Sequence, residues 1–336
     1  MATTIKDVAR IAGTSISTVS KVINGSGTIS EQTINRVNEA IKSLNYIPNN
    51  RARNLAKKSN QIVAFITKAK RDTAFINPHL FEIMTGAQKT LYQRGYSMEF
   101  FGIKHQDFDM IKQMIDTKSV DGMILHASIV TPEIADYLVA SNIPHTVIGM
   151  PNFPTSACWI DNNNTLSGQL AAKHLLTIGK ENIAYISGEK DDLISELRLK
   201  GVYRELKDNF IELNEDFVMR TNSTHYEGYE ATLKLLSLTP RPNAIICANN
   251  MIDLGCINAL RDQNISIPDD IAVVTFDDYP YAIITNPPTT AINIDVYDLG
   301  QQAARLVIEK IKKPTYQFQT YMTVPLLVTR KSTRKD

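Results

Sequence analysis

Two hydrophobic rhythms divide the chain. Over the first 45 residues, apolar side chains recur three and four positions apart, the spacing of a helix face. Ile5, Val8, Ala9 and Ala12 form one such face, and Gly13 ends it. Ser15 is placed to cap a second helix with Val19, Val22 and Ile23 as its stripe, until Asn24-Gly25 breaks it. Ser30 is placed to cap a third, with Ile34, Val37, Ile41 and Leu44 on one side. Two helices joined by the tight link Gly13-Thr14-Ser15 have the sequence form of a helix-turn-helix.

From Ile62 the rhythm changes. Apolar runs at 62–67, 97–101, 122–126, 146–149, 183–187, 244–248, 271–276 and 291–294 predict strands. Amphipathic patterns at 79–92, 164–177, 195–208, 226–236 and 251–262 predict helices between them. Such alternation gives parallel sheets with helices on both faces. Two sets of similar length, before and after about residue 160, predict two lobes. The expected fold class is therefore α/β: an N-terminal helix-turn-helix head, then a two-lobed body of parallel sheets flanked by helices. Between head and body, residues 49–58 could form two helical turns but have almost no apolar face. So short a helix is marginal alone in water, and the segment reads as a hinge that orders against DNA.

Charge sharpens this division. The net charge of +1 over 336 residues hides a head (residues 1–60) at +6 and a remainder at −5. A basic head on a mildly acidic body fits a polyanion-binding module, although a solvated helical surface would look the same by charge alone. The apolar runs are strand length, far short of the roughly 20 residues of a membrane span. Lys6, Asp7 and Arg10 interrupt any signal-peptide core. Cys158, Cys247 and Cys256 have no paired spacing, which fits a reducing cytoplasm and offers no zinc or redox motif.

The runs Thr4–Ala9, Ala12–Ser15 and Ser17–Asn24, with Leu44–Asn49 and Ala52–Leu55, closely resemble the head of the LacI/GalR family of bacterial regulators. The resemblance continues in family order through Asn77-Pro78, Val120–Gly122, Asp161-Asn162, Ser195–Gly201 with Arg198, Ala248–Asn250, Phe276–Asp278 and Pro288–Thr290. It implies a head at 1–48, a hinge helix and linker at 49–60, and a body like a periplasmic binding protein. That body would have discontinuous lobes, 61–160 with 291–318 and 162–289 with 320–331. It also implies a cytoplasmic repressor that binds a palindromic DNA operator as a homodimer, under control of a small effector of carbohydrate type.

In such a head the second helix enters the major groove. Ile16, Ser17 and Lys21 then become base readers: Ile16 by apolar contact, Ser17 as donor or acceptor, Lys21 toward guanine O6 and N7. Many family members have Arg where this chain has Lys21, which lacks the planar fork. Ser15, Thr18, Ser20 and Asn24 suit phosphate contacts that fix register; capping is the other use for Ser15. The resemblance adds Thr4, Tyr46, Asn49, Ala52 and Arg53 to the DNA face. It makes Leu55 a minor-groove wedge, where packing on the body is the alternative.

Ligands of two-lobed binding proteins sit beyond the carboxyl ends of the strands. The candidates there are His79, Phe81, His126, Asp161, Asp192, Arg198, Asn250 and Asp277. Arg198 leads, because its fork of donors clamps hydroxyls or a carboxylate; a structural ion pair with a nearby Asp is the alternative. His126 reads better as a packed strand-end residue, and Asp277 as a tie from strand to helix. Where many sugar-responsive members have Asp, this chain has Asn250, which exchanges a carboxylate for an amide with one acceptor and two donors.

Neither a cofactor nor a catalytic or metal site is called for, since no HExxH, GxSxG or GxxxxGK[ST] occurs. The competing readings are an enzyme on the two-lobed body, a free periplasmic binding protein and a regulator whose partner is another protein. The wedge is testable: Leu55→Ala should weaken operator binding more than random-DNA binding at one salt concentration. Nonspecific affinity comes from counterion release by Lys and Arg, which the substitution leaves in place. Equal losses, with the DNA bend retained in end-to-end energy transfer, would assign Leu55 to packing.

Overall fold

The computed structural model describes residues 3–25, 27–46, 59–68, 78–103, 107–189, 192–278, 280–316 and 320–334. Most of the expected hinge, with Asn49, Ala52, Arg53 and Leu55, lies outside the described residues.

The head has three helices: α1 (Ile5–Ile11), α2 (Ile16–Ile23) and α3 (Glu31–Ser43). Their starts follow from side-chain chemistry. Thr4 donates to Asp7 Oδ2 from both its backbone N (3.0 Å) and its hydroxyl (2.7 Å). Ser15 Oγ accepts from Thr18 N at 3.1 Å, and Ser30 Oγ accepts from Thr33 N at 3.4 Å. Such a cap contributes about 1 kcal/mol. Gly13, at φ +56°, turns the chain between α1 and α2 in a conformation that costs other residues more. The head core is Val8, Ala9, Ala12, Val19, Val37 and Ala40. These side chains are small, so the helices pack closely and the outer side of α2 is left on the surface.

The body begins with β1 (Ile62–Lys68), α4 (Pro78–Gln93), β2 (Ser97–Ile103), α5 (Phe108–Asp116) and β3 (Gly122–His126). It continues through α6 (Pro132–Ala140), β4 (His145–Ile148) and β5 (Trp159–Asn162). The second series is α7 (Asn164–Thr177), β6 (Ile183–Ser187), α8 (Leu193–Asp208), β7 (Val218–Arg220), α9 (His225–Leu236), β8 (Ala244–Cys247), α10 (Asn250–Asp262), β9 (Ala272–Phe276) and β10 (Thr290–Asn293). The chain closes with α11 (Val296–Lys312), β11 (Thr320–Thr323) and β12 (Leu326–Val328). One sheet runs β11-β5-β4-β3-β1-β2, parallel throughout. The other runs β12-β10-β9-β8-β6-β7, parallel except for the antiparallel edge pair β10/β12.

Central strands such as β8 and β9 are buried along their whole length, which is why they read as unbroken apolar runs. The first lobe has a core on each face of its sheet, one under α4 and α11 and one under α5 and α6. The second lobe has one continuous core. Among the described residues, no helix is long and apolar enough to cross a membrane.

The chain passes between lobes later than expected. Asn162 belongs to β5 in the first sheet; residues 291–293 pair with β9 and β12 in the second sheet; residues 320–323 pair with β5 in the first. Backbone pairing, rather than sequence analogy, thus moves the starts of the 162–289, 291–318 and 320–331 segments later.

Asp253 is an anomaly inside the second lobe. It lies on α10, fully buried, and among the described residues neither carboxyl oxygen has a partner at full hydrogen-bonding geometry, although the Thr289 hydroxyl is close enough to act on it. The neighbouring Thr289 hydroxyl sits 2.9 Å from that of Thr285. Burial pushes the Asp253 carboxyl up to about 7, with the Thr289 hydroxyl acting the other way. The folded protein therefore holds a proton that the unfolded chain, with Asp near 3.9, releases. Stability from this group is complete below about pH 4 and is lost as pH rises toward 7, at up to about 1.4 kcal/mol per pH unit. Asp253→Asn should flatten the decline in denaturation midpoint between pH 5 and 7. An unchanged slope would mean that Asp253 is ionised in the folded state across this range.

Candidate functional site

The site is built around α7 and α8, whose backbones nearly touch. A Cβ on Gly168 would lie 1.8 Å from Arg198 O, and one on Gly201 would lie 2.0 Å from Thr165 O. Glycine at both positions lets α8 bring Arg198 beside Asn164 at the start of α7. The start of α8 is tied to β6 through Ser195, whose Oγ accepts from Gly188 N at 2.9 Å and lies 2.9 Å from Ser187 Oγ. Asp192 caps α8, its Oδ1 accepting from Ile194 N at 3.1 Å.

Arg198 is buried, with three of its five N–H groups committed. Nε donates to Asn164 Oδ1 (3.2 Å), Nη1 to Ala248 O (2.7 Å) and Nη2 to Asp277 Oδ1 (3.3 Å). Its guanidinium also lies 4.4 Å from the centre of the Phe276 ring. Asp277 leaves β9 at φ +69° and turns its other oxygen toward the first lobe, 3.5 Å from His79 Nε2 on α4. From β5, Asp161 accepts from Met150 N at 2.9 Å and Asn162 N at 2.7 Å. His126 ends β3, its Nδ1 2.8 Å from Ser128 Oγ.

These groups line a cavity of about 350 Å³ between the lobes. It holds seven of the eight residues expected from sequence: His79, His126, Asp161, Asp192, Arg198, Asn250 and Asp277. Phe81 is the exception, 62% exposed and absent from the lining. On α4 the inward residues are His79, Leu80 and Ile83; Phe81 lies two residues, about 200°, around the helix from both His79 and Ile83. Sequence reading missed Tyr281, the aromatic ring in the lining, and the amides Asn162, Asn164 and Asn249. The signal for Tyr281 was its place four residues after the strand-end Asp277; the landmark Asp161-Asn162 pointed to Asn162.

Burial raises the carboxyls of Asp161 and Asp192. Backbone N–H groups and Arg198 pull both back. His126 keeps some surface on the cavity yet sits deep in protein, which holds its imidazole below the usual histidine range. Among the described residues, no group of three or more His, Cys, Asp or Glu is arranged to hold a metal ion.

A second candidate surface lies on α2. Ser15, Ile16, Ser17 and Lys21 are exposed together, with Ile16 at 45%. Thr18, Ser20 and Asn24 are half-buried beside them. Ser15 Oγ, 2.8 Å from Ser17 Oγ and 2.9 Å from Thr18 Oγ1, is committed to the cap as well as facing outward. Asn24 Nδ2 donates to Ser20 Oγ at 3.3 Å. Thr4 is exposed, while Tyr46 is half-buried and packs on the head core.

A helix-turn-helix head with an exposed second helix, joined to two lobes around a cavity lined by apolar side chains and a few converging polar groups, defines a ligand-responsive DNA-binding protein. The profile of bacterial regulatory proteins of the lacI family matches residues 4–49, and that of the periplasmic binding protein-like domain matches 172–333. The HTH-type transcriptional repressor PurR of Mannheimia succiniciproducens is 31% identical over 336 residues, 99% of each chain. The lac repressor dimer bound to operator and the anti-inducer ONPF shares the fold at a TM-score of 0.82, 25% identical over 99% of each chain. A CelR–cellobiose complex matches at 0.73, 27% identical over 98% of this chain and 99% of that one. This chain belongs to the LacI family of bacterial transcriptional regulators. It is a DNA-binding repressor with an effector-binding domain, and not an enzyme.

The α7–α8 contact gives a direct test. Gly201→Ala places a methyl against Thr165 O and should cost about 1–3 kcal/mol, displacing α8 and Arg198 with it. The urea midpoint of the body should fall while the head's own melting is unchanged. A midpoint equal to wild type would show that the helices part freely, leaving Arg198 positioned by its hydrogen bonds alone.

Proposed function

We propose that this repressor binds a roughly palindromic operator as a homodimer in the cytoplasm, and that a carbohydrate or sugar derivative held between the lobes sets its affinity for DNA. The observation that carries the effector class is the hydrogen-bonding character of the cavity. Asp161 from one lobe and Asp192 and Asp277 from the other are acceptors when ionised, and Arg198 keeps two N–H groups uncommitted. Three carboxylates set among apolar side chains call for a ligand that presents donors beside apolar faces, and the hydroxyls and ring carbons of a sugar supply both without adding charge. The similar CelR was solved with cellobiose, which supports the same class.

In this reading Ile16, Ser17 and Lys21 read bases, and Thr4, Ser15, Thr18, Ser20, Asn24, Tyr46, Asn49, Ala52 and Arg53 hold the backbone. Leu55 opens the minor groove from the hinge at 49–60, and residues 1–48 form the head. Exposed Phe81, Phe100, Ile283 and Ile284 supply apolar surface for self-association, and the similar lac repressor was solved as an operator-bound dimer.

A thermal-shift screen of sugars tests the effector class. A ligand at 100 times its Kd should add about 2.7 kcal/mol of stability. Arg198→Ala should leave operator affinity within a few-fold and abolish both that shift and the effector response, because it strips a buried cavity of its cationic donors. An unchanged dose–response curve would assign Arg198 to structure. Operator affinity that responds to a protein partner, with no small molecule binding the cleft, would replace the carbohydrate reading.

A further inference from the structure

Four amides line the cavity, and three of them are tied into the fold. Asn162 Nδ2 donates to Ser167 Oγ at 2.9 Å, and its Oδ1 accepts from Thr323 Oγ1 at 3.4 Å. Asn164 Nδ2 donates to Asn162 O at 3.2 Å, and its Oδ1 accepts from Arg198 Nε at 3.2 Å. Asn249 Oδ1 accepts from Met251 N and Ile252 N, both at 3.0 Å, and so caps α10.

Asn250 differs from all three. It is 3% exposed, and its Nδ2 and Oδ1 are both buried without a partner among the described residues. With Asn249 capping the helix, α10 has no local use for the neighbouring amide. A buried donor and a buried acceptor left together carry their full desolvation cost in the empty protein, yet both belong to a residue that lines the cavity.

We propose that Asn250 determines the specificity of the cleft by reading an adjacent donor–acceptor pair on the ligand. This rests on the cavity being the effector site. The carboxylates Asp161, Asp192 and Asp277 accept only when ionised, so they match ligand groups that donate. The Asn250 amide is one acceptor beside one donor. Its complement on a sugar is a vicinal diol, in which one hydroxyl donates to Oδ1 and the next oxygen accepts from Nδ2. A ligand with one of that pair removed leaves half of the amide unmatched. An adenine-like edge offers the same pair in a flat ring, as when Asn reads that base in DNA.

The test uses the full chain and named probes: ribose with 2-deoxyribose, glucose with 2-deoxyglucose, cellobiose, and adenine, each titrated by calorimetry. Wild type should bind a diol-bearing sugar at least tenfold more tightly than its deoxy partner. Asn250→Leu, which removes donor and acceptor together at similar volume, should shrink that ratio below threefold. A ratio unchanged in Asn250→Leu overturns the proposal.

A second arm needs no ligand. Asn250→Leu should raise the unfolding midpoint of the ligand-free protein, because it removes an unmatched amide at similar volume. A fall of several degrees would make the amide a structural group and overturn the proposal. Binding of adenine alone, lost in Asn250→Asp, would sink the carbohydrate reading while keeping the role of Asn250. If no probe binds, the carbohydrate reading fails, and the Asn250→Leu midpoint still decides whether the amide serves the fold.

Discussion

The second lobe is organised by one buried guanidinium. Arg198 joins α8 to the start of α7 through Asn164, to the end of β8 through Ala248 O, and to the end of β9 through Asp277. Three segments far apart in sequence therefore meet at one plane, with the Phe276 ring against one face of it. A charge this deep is tolerated because it is paired and hydrogen-bonded on several sides. The same pair reaches outward, since Asp277 turns its second oxygen to His79 of the other lobe. The shape of the cleft is thus set by the group best suited to bind in it. The structural reading of Arg198 is met by its committed N–H groups, and those left over are what the proposed ligand role would use.

Much of this was legible in the chain, and the limits have physical causes. Helices with strong caps or clear stripes were placed within a residue or two, and α7 was read with its observed bounds, Asn164–Thr177. Buried central strands were equally plain, because parallel strands covered on both faces become unbroken apolar runs. Strand β5 was missed: Trp159-Ile160-Asp161-Asn162 is short and half polar, and it is a strand only because β4 and β11 flank it. Strands β11 and β12 are edge segments of four and three residues with largely exposed side chains, so no core imposed alternation on them. Phe81 was chosen for its type and nearness to His79, but helical periodicity turns it away from the cavity. Sequence order also blurred the lobe crossings, which depend on which sheet each strand joins.

Head and body solve different problems of size. The head is too small to bury large side chains, and its core of valines and alanines leaves Ile16 and Lys21 outside. An exposed isoleucine at the start of a helix is costly in an isolated domain and useful on a surface that meets thymine methyl groups. The charge division follows the same line, with +6 gathered in the first 60 residues and −5 spread over the rest. Attraction to a polyanion is thereby confined to one end, and the acidic remainder does not compete for it.

The cleft is asymmetric in how well its polar groups are satisfied, and this bears on how a ligand could move the lobes. On the α7–α8 side, Arg198, Asn164 and Asp192 are held by the fold before anything binds. At the head of α10, Asn250 is unmatched among the described residues, and one turn further along Asp253 is fully buried. A ligand shifts a conformational equilibrium only by the difference between its affinities for the two states. Contacts to the prearranged side are available in any arrangement that keeps the second lobe intact, so they contribute affinity with little preference. A contact to Asn250 lies in that same lobe, so only a ligand that also reaches His79 and Asp161 across the cleft would make contacts that differ between arrangements of the lobes. Under the proposed reading, differential binding would therefore come from ligands that span α10 and the first lobe rather than from either side alone.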